Sequence, residues 1–159
     1  MKRYLLDTGI AGLYIDRKRG VYERARAEES RGNRVGVGAP VVAELAYRAE
    51  GSPNRDRNLH RLRQALASWR LWLVTEEVAF EYGRLAIELR RIGRVIGQND
   101  MMIAAIGRTI GNCTVVTMDS DLGVGPGLRV ENWAEPETRA TWCVLVQRDL
   151  EEWPRWVSG

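Results

Sequence analysis

One stretch of the sequence restricts the fold more than any other: a short apolar, β-branched run at residues 113–118, followed at once by Asp119. A run that is apolar on both faces is typical of a strand buried inside a parallel sheet. Residues 101–110, just before it, repeat apolar side chains at helical spacing. A helix that leads into a buried strand is the repeating unit of α/β folds, so the stretch predicts that class.

The rest of the chain alternates in the same way. Short apolar runs predict strands at residues 3–6, 33–38, 71–74, 113–118 and 128–130. Apolar residues at helical spacing predict helices at residues 9–16, 21–31, 41–48, 59–69, 76–94 and 101–110. We expect Thr8 to cap the first helix. The alternation indicates one α/β domain with a parallel sheet and helices on both of its faces.

Composition excludes several classes of protein. No apolar run in the 159 residues approaches the roughly 20 residues of a membrane span, and the amino terminus lacks the apolar core of a signal peptide. We therefore expect a cytoplasmic protein. Cys113 and Cys143 have no metal-like spacing and are expected to be reduced. His60 is the sole histidine, in a polar predicted helix, which argues against a Ser-His-Asp or Cys-His site.

Acidic residues fall where an α/β sheet places its ligands. Asp7 ends the first predicted strand, Asp119 and Asp121 follow the fourth, and Asp100 precedes the helix leading into the fourth. The first and fourth strands can be neighbours at the switch point, and Glu44 can lean into the same crevice. Carboxylates gathered there would repel one another unless a cation neutralised them. Oxygen-rich sites of this kind suit Mg²⁺ or Mn²⁺.

Each acidic residue also has an ordinary structural explanation. Asp7 and Asp100 could cap the helices beside them. Glu44 could be a surface residue of its helix. Asp119 and Asp121 could form a turn. The functional interpretation rests on the complete set and on the order in which its members occur.

Five segments, taken together, resemble the PIN-domain ribonucleases, and within them the VapC-type toxins of toxin–antitoxin pairs. The matching segments are residues 4–8 (YLLDT), 40–45 (PVVAEL), 99–105 (NDMMIAA), 115–119 (VVTMD) and 128–133 (LRVENW). The resemblance departs at Gly9, where such proteins often carry a polar residue, and at Leu122, where an aromatic residue is frequent.

The resemblance implies a role for each matching acidic residue. It implies a catalytic quartet, listed in chain order as Asp7, Glu44, Asp100 and Asp119. It implies that Asp7, Asp100 and Asp119 bind the metal, with Glu44 and Asp121 as further candidate ligands. Thr117 and Thr8 are expected to assist them. In the expected mechanism, Mg²⁺ (for which Mn²⁺ can substitute) activates the water that hydrolyses an RNA phosphodiester, and Glu44 binds a second ion or orients that water.

The resemblance also implies an architecture and partners. The expected fold is a three-layer α/β sandwich with a short parallel central sheet. Residues 1–133 would form the nuclease domain, and residues 134–159 an extension packed on it, with a strand at 141–146 and a helix at 148–156. The expected partners are RNA, a cognate antitoxin and a second copy of the chain, with no membrane. Arg17, Arg19 and Arg48 are candidates for contact with the RNA backbone.

Three alternatives compete with a nuclease. A receiver domain needs paired acids at the first strand and a lysine late in the chain, but Lys2 and Lys18 are the only lysines. A haloacid-dehalogenase-like phosphatase needs Asp-x-Asp after the first strand, where this chain has Gly9. The third alternative is a catalytically silent PIN-like module that binds RNA or protein, against which the intact quartet argues.

Overall fold

The computed structural model describes residues 1–119, 122 and 127–134. Within these residues the strands are β1 (Arg3–Leu6), β2 (Arg34–Gly38), β3 (Arg70–Trp72), β4 (Cys113–Val116) and β5 (Arg129–Glu131). The helices are α1 (Thr8–Asp16), α2 (Val21–Ser30), α3 (Ala39–Glu50), α4 (Arg55–Ser68), α5 (Glu76–Arg91) and α6 (Gln98–Thr109). The helices flank a parallel sheet, so the predicted α/β class and three-layer sandwich are confirmed. None of the described helices has the length and apolar character needed to cross a membrane.

The sheet has the strand order β3-β2-β1-β4-β5, and every neighbouring pair is parallel. β1 lies at the centre, between β2 and β4. Leu6, the last residue of β1, is in register with Val37 on one side and Val116 on the other. The predicted adjacency of the first and fourth strands is confirmed. Asp7 and Thr117 therefore leave the sheet side by side at its carboxyl edge.

Helices cover both faces of the central strands. All four residues of β4 are buried, and successive side chains of a strand point to opposite faces, so neither face of β4 meets solvent. Leu5 and Leu6 of β1 are fully buried in the main core. A second cluster joins Leu85 and Leu89 of α5 to α6. This double coverage explains why the central strands appear in the sequence as unbroken apolar runs.

Two glycines let α6 approach the sheet closely. A Cβ at Gly38, the last residue of β2, would lie 2.8 Å from the Ile106 Cδ1 atom of α6. A Cβ at Gly107 of α6 would lie 3.0 Å from the Val115 Cγ2 atom of β4. Both positions therefore favour glycine. The close packing holds the first turn of α6, which contains Asp100, at the carboxyl edge of the sheet.

Several predicted boundaries were wrong. Asp7, rather than Thr8, is the N-cap of α1, because its carboxylate accepts the amide hydrogen bond of Ile10. The last strand before α5 is residues 70–72 instead of 71–74, since pairing with β2 sets its register. Helix α6 begins three residues earlier than predicted, so Gly97 is its N-cap and Asp100 lies within its first turn. Asp100 is thus not a helix cap. The predicted strand at 141–146 and helix at 148–156 lie outside the described residues.

Candidate active site

Asp7 is fixed by two hydrogen bonds at the point where β1 becomes α1. Its Oδ1 atom accepts the Ile10 amide N–H at 2.7 Å, and its Oδ2 atom accepts the hydroxyl of Thr117. Only 8% of Asp7 is exposed. Each carboxylate oxygen has two lone pairs, so one acceptor site per oxygen stays available beyond these bonds. Asp7 therefore caps its helix and can still bind a ligand in the crevice.

Thr117 connects the ends of the two central strands. This buried residue directly follows β4, and its hydroxyl donates to Asp7. The same hydroxyl oxygen accepts the backbone N–H of Asp119 at 2.9 Å. Because its one proton is directed to Asp7, this arrangement stabilises the ionised carboxylate. The assisting role expected of Thr117 thus has a physical basis in its contacts with both aspartates.

Glu44 joins three helices at the same edge. Its Oε2 atom accepts the hydroxyl of Thr8 at 2.7 Å and the Asn99 Nδ2 amide at 3.4 Å, which connects α3 to α1 and α6. Its Oε1 atom forms an ion pair with the guanidinium of Arg48, one turn further along α3. Glu44 is therefore held in place by donors on both oxygens.

The carboxylates share one electrostatic environment. Burial raises the pKa of Asp7, and the charges of Asp100 and Asp119 raise it further, against the opposing effect of the hydrogen bonds that Asp7 accepts. Burial also raises the pKa of Asp100, with added repulsion from Asp119 and Glu44. The charges that act on Asp7 and Asp100 agree with the predicted repulsion among these groups. A cation bound here would relieve it.

The donor set fits a hard divalent cation. The carboxylates supply oxygen ligands, which Mg²⁺ and Mn²⁺ prefer. Within the described residues, no group of three or more histidine, cysteine, aspartate or glutamate side chains lies close enough to hold an ion. Mg²⁺ commonly binds through one or two carboxylates and keeps several waters, so a preformed cage of three ligands is not required. The residues therefore suit a partly hydrated ion.

The structure brings most of the predicted site residues to one edge. Hydrogen bonds connect Asp7 to Asp119 through Thr117, and a separate bond connects Thr8 to Glu44. Asp100 is coupled to Asp119 and Glu44 through charge. Asp121 lies outside the described residues.

Sequence reasoning missed two contacts of Glu44. The amide of Asn99 reaches it from α6, although this residue directly precedes Asp100 in the matching segment. The ion pair with Arg48 was also missed, although a spacing of four residues on a helix favours such pairs. That spacing was the available signal for the second contact.

Met118 lies beside Gly9 at the rim of the crevice. Its Cε atom is 3.4 Å from where a Cβ of Gly9 would be, an ordinary van der Waals distance. Arg19 reaches this rim from the loop after α1, with its Nη1 atom 3.3 Å from the Met118 sulfur. Arg17 points elsewhere, since its guanidinium lies 4.5 Å from the ring centre of Tyr22.

Comparisons with curated proteins agree with this geometry. Ribonuclease VapC2 of Haemophilus influenzae is 32% identical over 133 residues, which cover 84% of this chain and 99% of that protein. The tRNA(fMet)-specific endonuclease VapC of Shigella flexneri is 29% identical over 135 residues, covering 84% of this chain and all of that protein. The similarity therefore extends over nearly the whole length of both relatives.

Solved structures give the same result. VapBC2 from Rickettsia felis, bound to a DNA fragment from its promoter, matches with a TM-score of 0.77 and 29% identity, covering 82% of this chain and 98% of the matched one. DNA-bound VapBC from Salmonella typhimurium matches with a TM-score of 0.76 and 27% identity, covering 84% and 100%. The family model described as PIN domain matches residues 4–124. On this match, and with VapC ribonucleases among its relatives, the chain belongs to the PIN domain family.

Proposed function

We propose that this protein is a metal-dependent endoribonuclease and the toxin of a type II toxin–antitoxin pair. The observation that carries the proposal is the gathering of Asp7, Glu44, Asp100 and Asp119 at the carboxyl edge of a PIN-domain sheet, with the pKa values of two of them raised. Relatives named as ribonucleases and endonucleases support the reaction class, and VapC nucleases of this family depend on a metal in general.

Asp7, Asp100 and Asp119 are the residues that would hold a partly hydrated Mg²⁺, or Mn²⁺ in its place, one or two of them directly and the rest through its water molecules. When bound, the cation lowers the pKa of a coordinated water and stabilises the charge that develops on the phosphate oxygens. The protein contributes orientation, because Thr117 and the first turn of α1 fix the carboxylate of Asp7. Such positioning of reacting groups is a large part of catalysis.

Glu44 would orient the attacking water or bind a second ion. The hydroxyl of Thr8 and the amide of Asn99 hold its carboxylate toward α6, the helix that carries Asp100. In the overall reaction, the water oxygen forms a bond to phosphorus and the bond to the leaving ribose oxygen breaks. The water proton passes to a basic group, for which the site offers carboxylates, and the leaving ribose oxygen takes up a proton from solvent.

The partners follow from the relatives and from the surface. The matched structures from Rickettsia felis and Salmonella typhimurium are VapBC proteins, so we infer an antitoxin partner for this chain.

We also infer a homodimer. Phe80 and Ile87 of α5 are 63% and 48% exposed, and Leu73, just after β3, is 61% exposed. Phe80 and Ile87 are seven residues apart and so lie on the same face of α5. Exposed apolar residues grouped on one face are typical of a protein interface. Light scattering on the purified chain tests the dimer, with Ile87→Glu as the disrupting variant.

The test of function is incubation of the purified, antitoxin-free chain with total cellular RNA. We expect discrete fragments in the presence of Mg²⁺, none with EDTA, and none from a folded Asp100→Asn variant. Discrete fragments would also begin to identify the target RNA. Intact RNA in every reaction would contradict the proposal and favour the silent binding module. Unchanged cleavage by Asp100→Asn would show that the reaction takes place at another site.

A further inference from the structure

Glu44 differs from Asp7 in having a cation of its own chain beside it. The Nη2 atom of Arg48 pairs with the Glu44 Oε1 atom, while Thr8 and Asn99 donate to Oε2. Both oxygens of the carboxylate are therefore engaged before any metal arrives. Oε2 accepts two hydrogen bonds and has no lone pair left, whereas Oε1 keeps one, beside the positive charge of Arg48. A divalent cation bound to Glu44 would therefore either exchange with one of these donors or lie next to the guanidinium and repel it.

Arg48 is the donor best placed to leave. Its side chain is 37% exposed and that of Glu44 is 25% exposed, so the pair lies at the solvent-facing rim of the crevice. Part-exposed pairs one helical turn apart are weak, because water screens the charges and two long side chains lose freedom. Thr8, by contrast, is buried and holds Oε2 from the opposite side.

Charge favours the exchange. Glu44 acts electrostatically on Asp100, which itself interacts with Asp119, so a divalent cation among these aspartates also attracts Glu44. Such an ion carries twice the charge of a guanidinium. Once displaced, the guanidinium of Arg48 would remain close to the carboxylates, and its planar fork suits two oxygens of one phosphate.

We propose that Arg48 competes with the divalent cation for Glu44 and, once displaced, binds a phosphate of the substrate. Arg48 is then a positioning residue in the metal-free protein and a phosphate contact in the loaded one. The second half of this proposal rests on the proposed nuclease function, whereas the competition for Glu44 is independent of RNA.

The competition is tested by calorimetric titration of Mn²⁺ into the full chain without RNA. Arg48→Met removes the charge and keeps an unbranched stem, and we expect it to bind Mn²⁺ about fivefold more tightly, on the scale of one part-exposed ion pair. Arg55→Met is the matched control, since Arg55 forms ion pairs with Glu50 and Asp56. We expect the control to leave the affinity unchanged. Equal or weaker binding by Arg48→Met, or no Mn²⁺ binding by any variant, would overturn the proposal.

A second titration distinguishes direct competition from a general effect of charge. In a Glu44→Gln background, removing Arg48 should no longer change the affinity for Mn²⁺, because the shared carboxylate is gone. A gain in affinity that persists in this background would mean that Arg48 acts through long-range charge, which contradicts the proposal.

The phosphate contact is tested by RNA binding in an inactive Asp7→Asn background, with Mn²⁺ at a concentration that saturates this weaker-binding variant. Arg48→Met should lower the slope of log affinity against log salt by about 0.7, the value for one lost phosphate contact on a single strand, and Arg55→Met should not. An unchanged slope for Arg48→Met would overturn the proposed phosphate contact. If wild-type protein leaves RNA intact but the Mn²⁺ titrations turn out as expected, the nuclease proposal fails and the competition for Glu44 stands.

Discussion

Asp7 and Glu28 are both buried carboxylates, with 8% and 4% exposure, yet the fold treats them in opposite ways. Glu28 lies near the end of α2, and burial alone raises its pKa. The amide of Asn33 and the guanidinium groups of Arg24 and Arg31 outweigh burial, so the net pKa of Glu28 is lowered. Both arginines and Asn33 contact its carboxylate at 2.8–3.3 Å.

Asp7 is stabilised only in part by its surroundings. It accepts hydrogen bonds from Thr117 and a backbone amide, but the charges acting on it come from Asp100 and Asp119. Burial and these charges together leave its pKa raised. The contrast is that cations of the chain surround the structural acid Glu28, whereas the charges that act on Asp7 are those of other acids. An acid placed among acids at the carboxyl edge of the sheet is the arrangement expected of a site that receives a cation.

The largest expected effect is on catalysis at Asp7. Asp7→Asn keeps the size of the side chain and removes its charge, so RNA cleavage should fall at least about 100-fold. Stability in EDTA should be unchanged or higher, because a buried charge among like charges has been removed. Initial cleavage rates and thermal unfolding check both. If Asp7→Asn cleaves RNA at the wild-type rate, Asp7 has no catalytic role and does not differ from Glu28 in function.

Glu28→Gln should have the opposite pattern. Its ion pairs with Arg24 and Arg31 are lost, so the free energy of unfolding should fall by about 1–3 kcal/mol. Cleavage per folded molecule should stay within about twofold of wild type, a change too small to indicate lost transition-state contacts. Urea denaturation and cleavage rates measure the two quantities. A Glu28→Gln protein that is fully stable but inactive would contradict the structural role.

Substitutions of Thr117 test how much Asp7 depends on its hydrogen bonds, because the Thr117 hydroxyl is the side-chain donor to Asp7. Thr117→Val removes the hydroxyl and should reduce cleavage about tenfold, the scale of one hydrogen bond to a charged group. The pKa of Asp7 should rise further, because this hydrogen bond lowers it. Thr117→Ser retains the hydroxyl and is the matched control. Cleavage rates as a function of pH would distinguish the two variants, and equal profiles would contradict the role of the hydroxyl.

The smallest expected effect is on the pH dependence of stability. It should have opposite signs for the two acids, Asp7 and Glu28. Asp7 has a raised pKa, so in EDTA the wild type should lose stability relative to Asp7→Asn as the pH rises above the ordinary value of 3.8. Glu28 has a lowered pKa, so the advantage of wild type over Glu28→Gln should be lost as the pH falls below the ordinary value of 4.5. Denaturant midpoints between pH 3 and 7 test both signs, and parallel curves would contradict them.

Much of the fold could be predicted from local pattern. The bounds of β1 were predicted correctly, because an apolar run ends sharply at Asp7. The start of α6 was not, since Gln98 and Asn99 interrupt the apolar spacing that marks the helix. The position of β3 was wrong by one residue at its start, because its register depends on Arg70 pairing with Gly36 across the sheet.

The site was predictable in composition and less so in its contacts. The positions of Asp7 and Asp119 at strand ends follow from the alternation of elements. The hydrogen bond from Thr117 to Asp7 joins residues 110 positions apart, so no local pattern encodes it. The packing of Met118 beside Gly9 is equally non-local. These contacts depend on the placement of β4 next to β1, which only the folded sheet establishes.

The most direct test of the central claim is the affinity for Mn²⁺, measured by calorimetry, of wild type, Asp7→Asn and Glu28→Gln. If the acids at the carboxyl edge form the cation site, Asp7→Asn should weaken Mn²⁺ binding at least about tenfold. Glu28→Gln should bind as wild type does. Equal affinities for wild type and Asp7→Asn, or no binding of Mn²⁺ by the folded wild-type chain, would contradict the account.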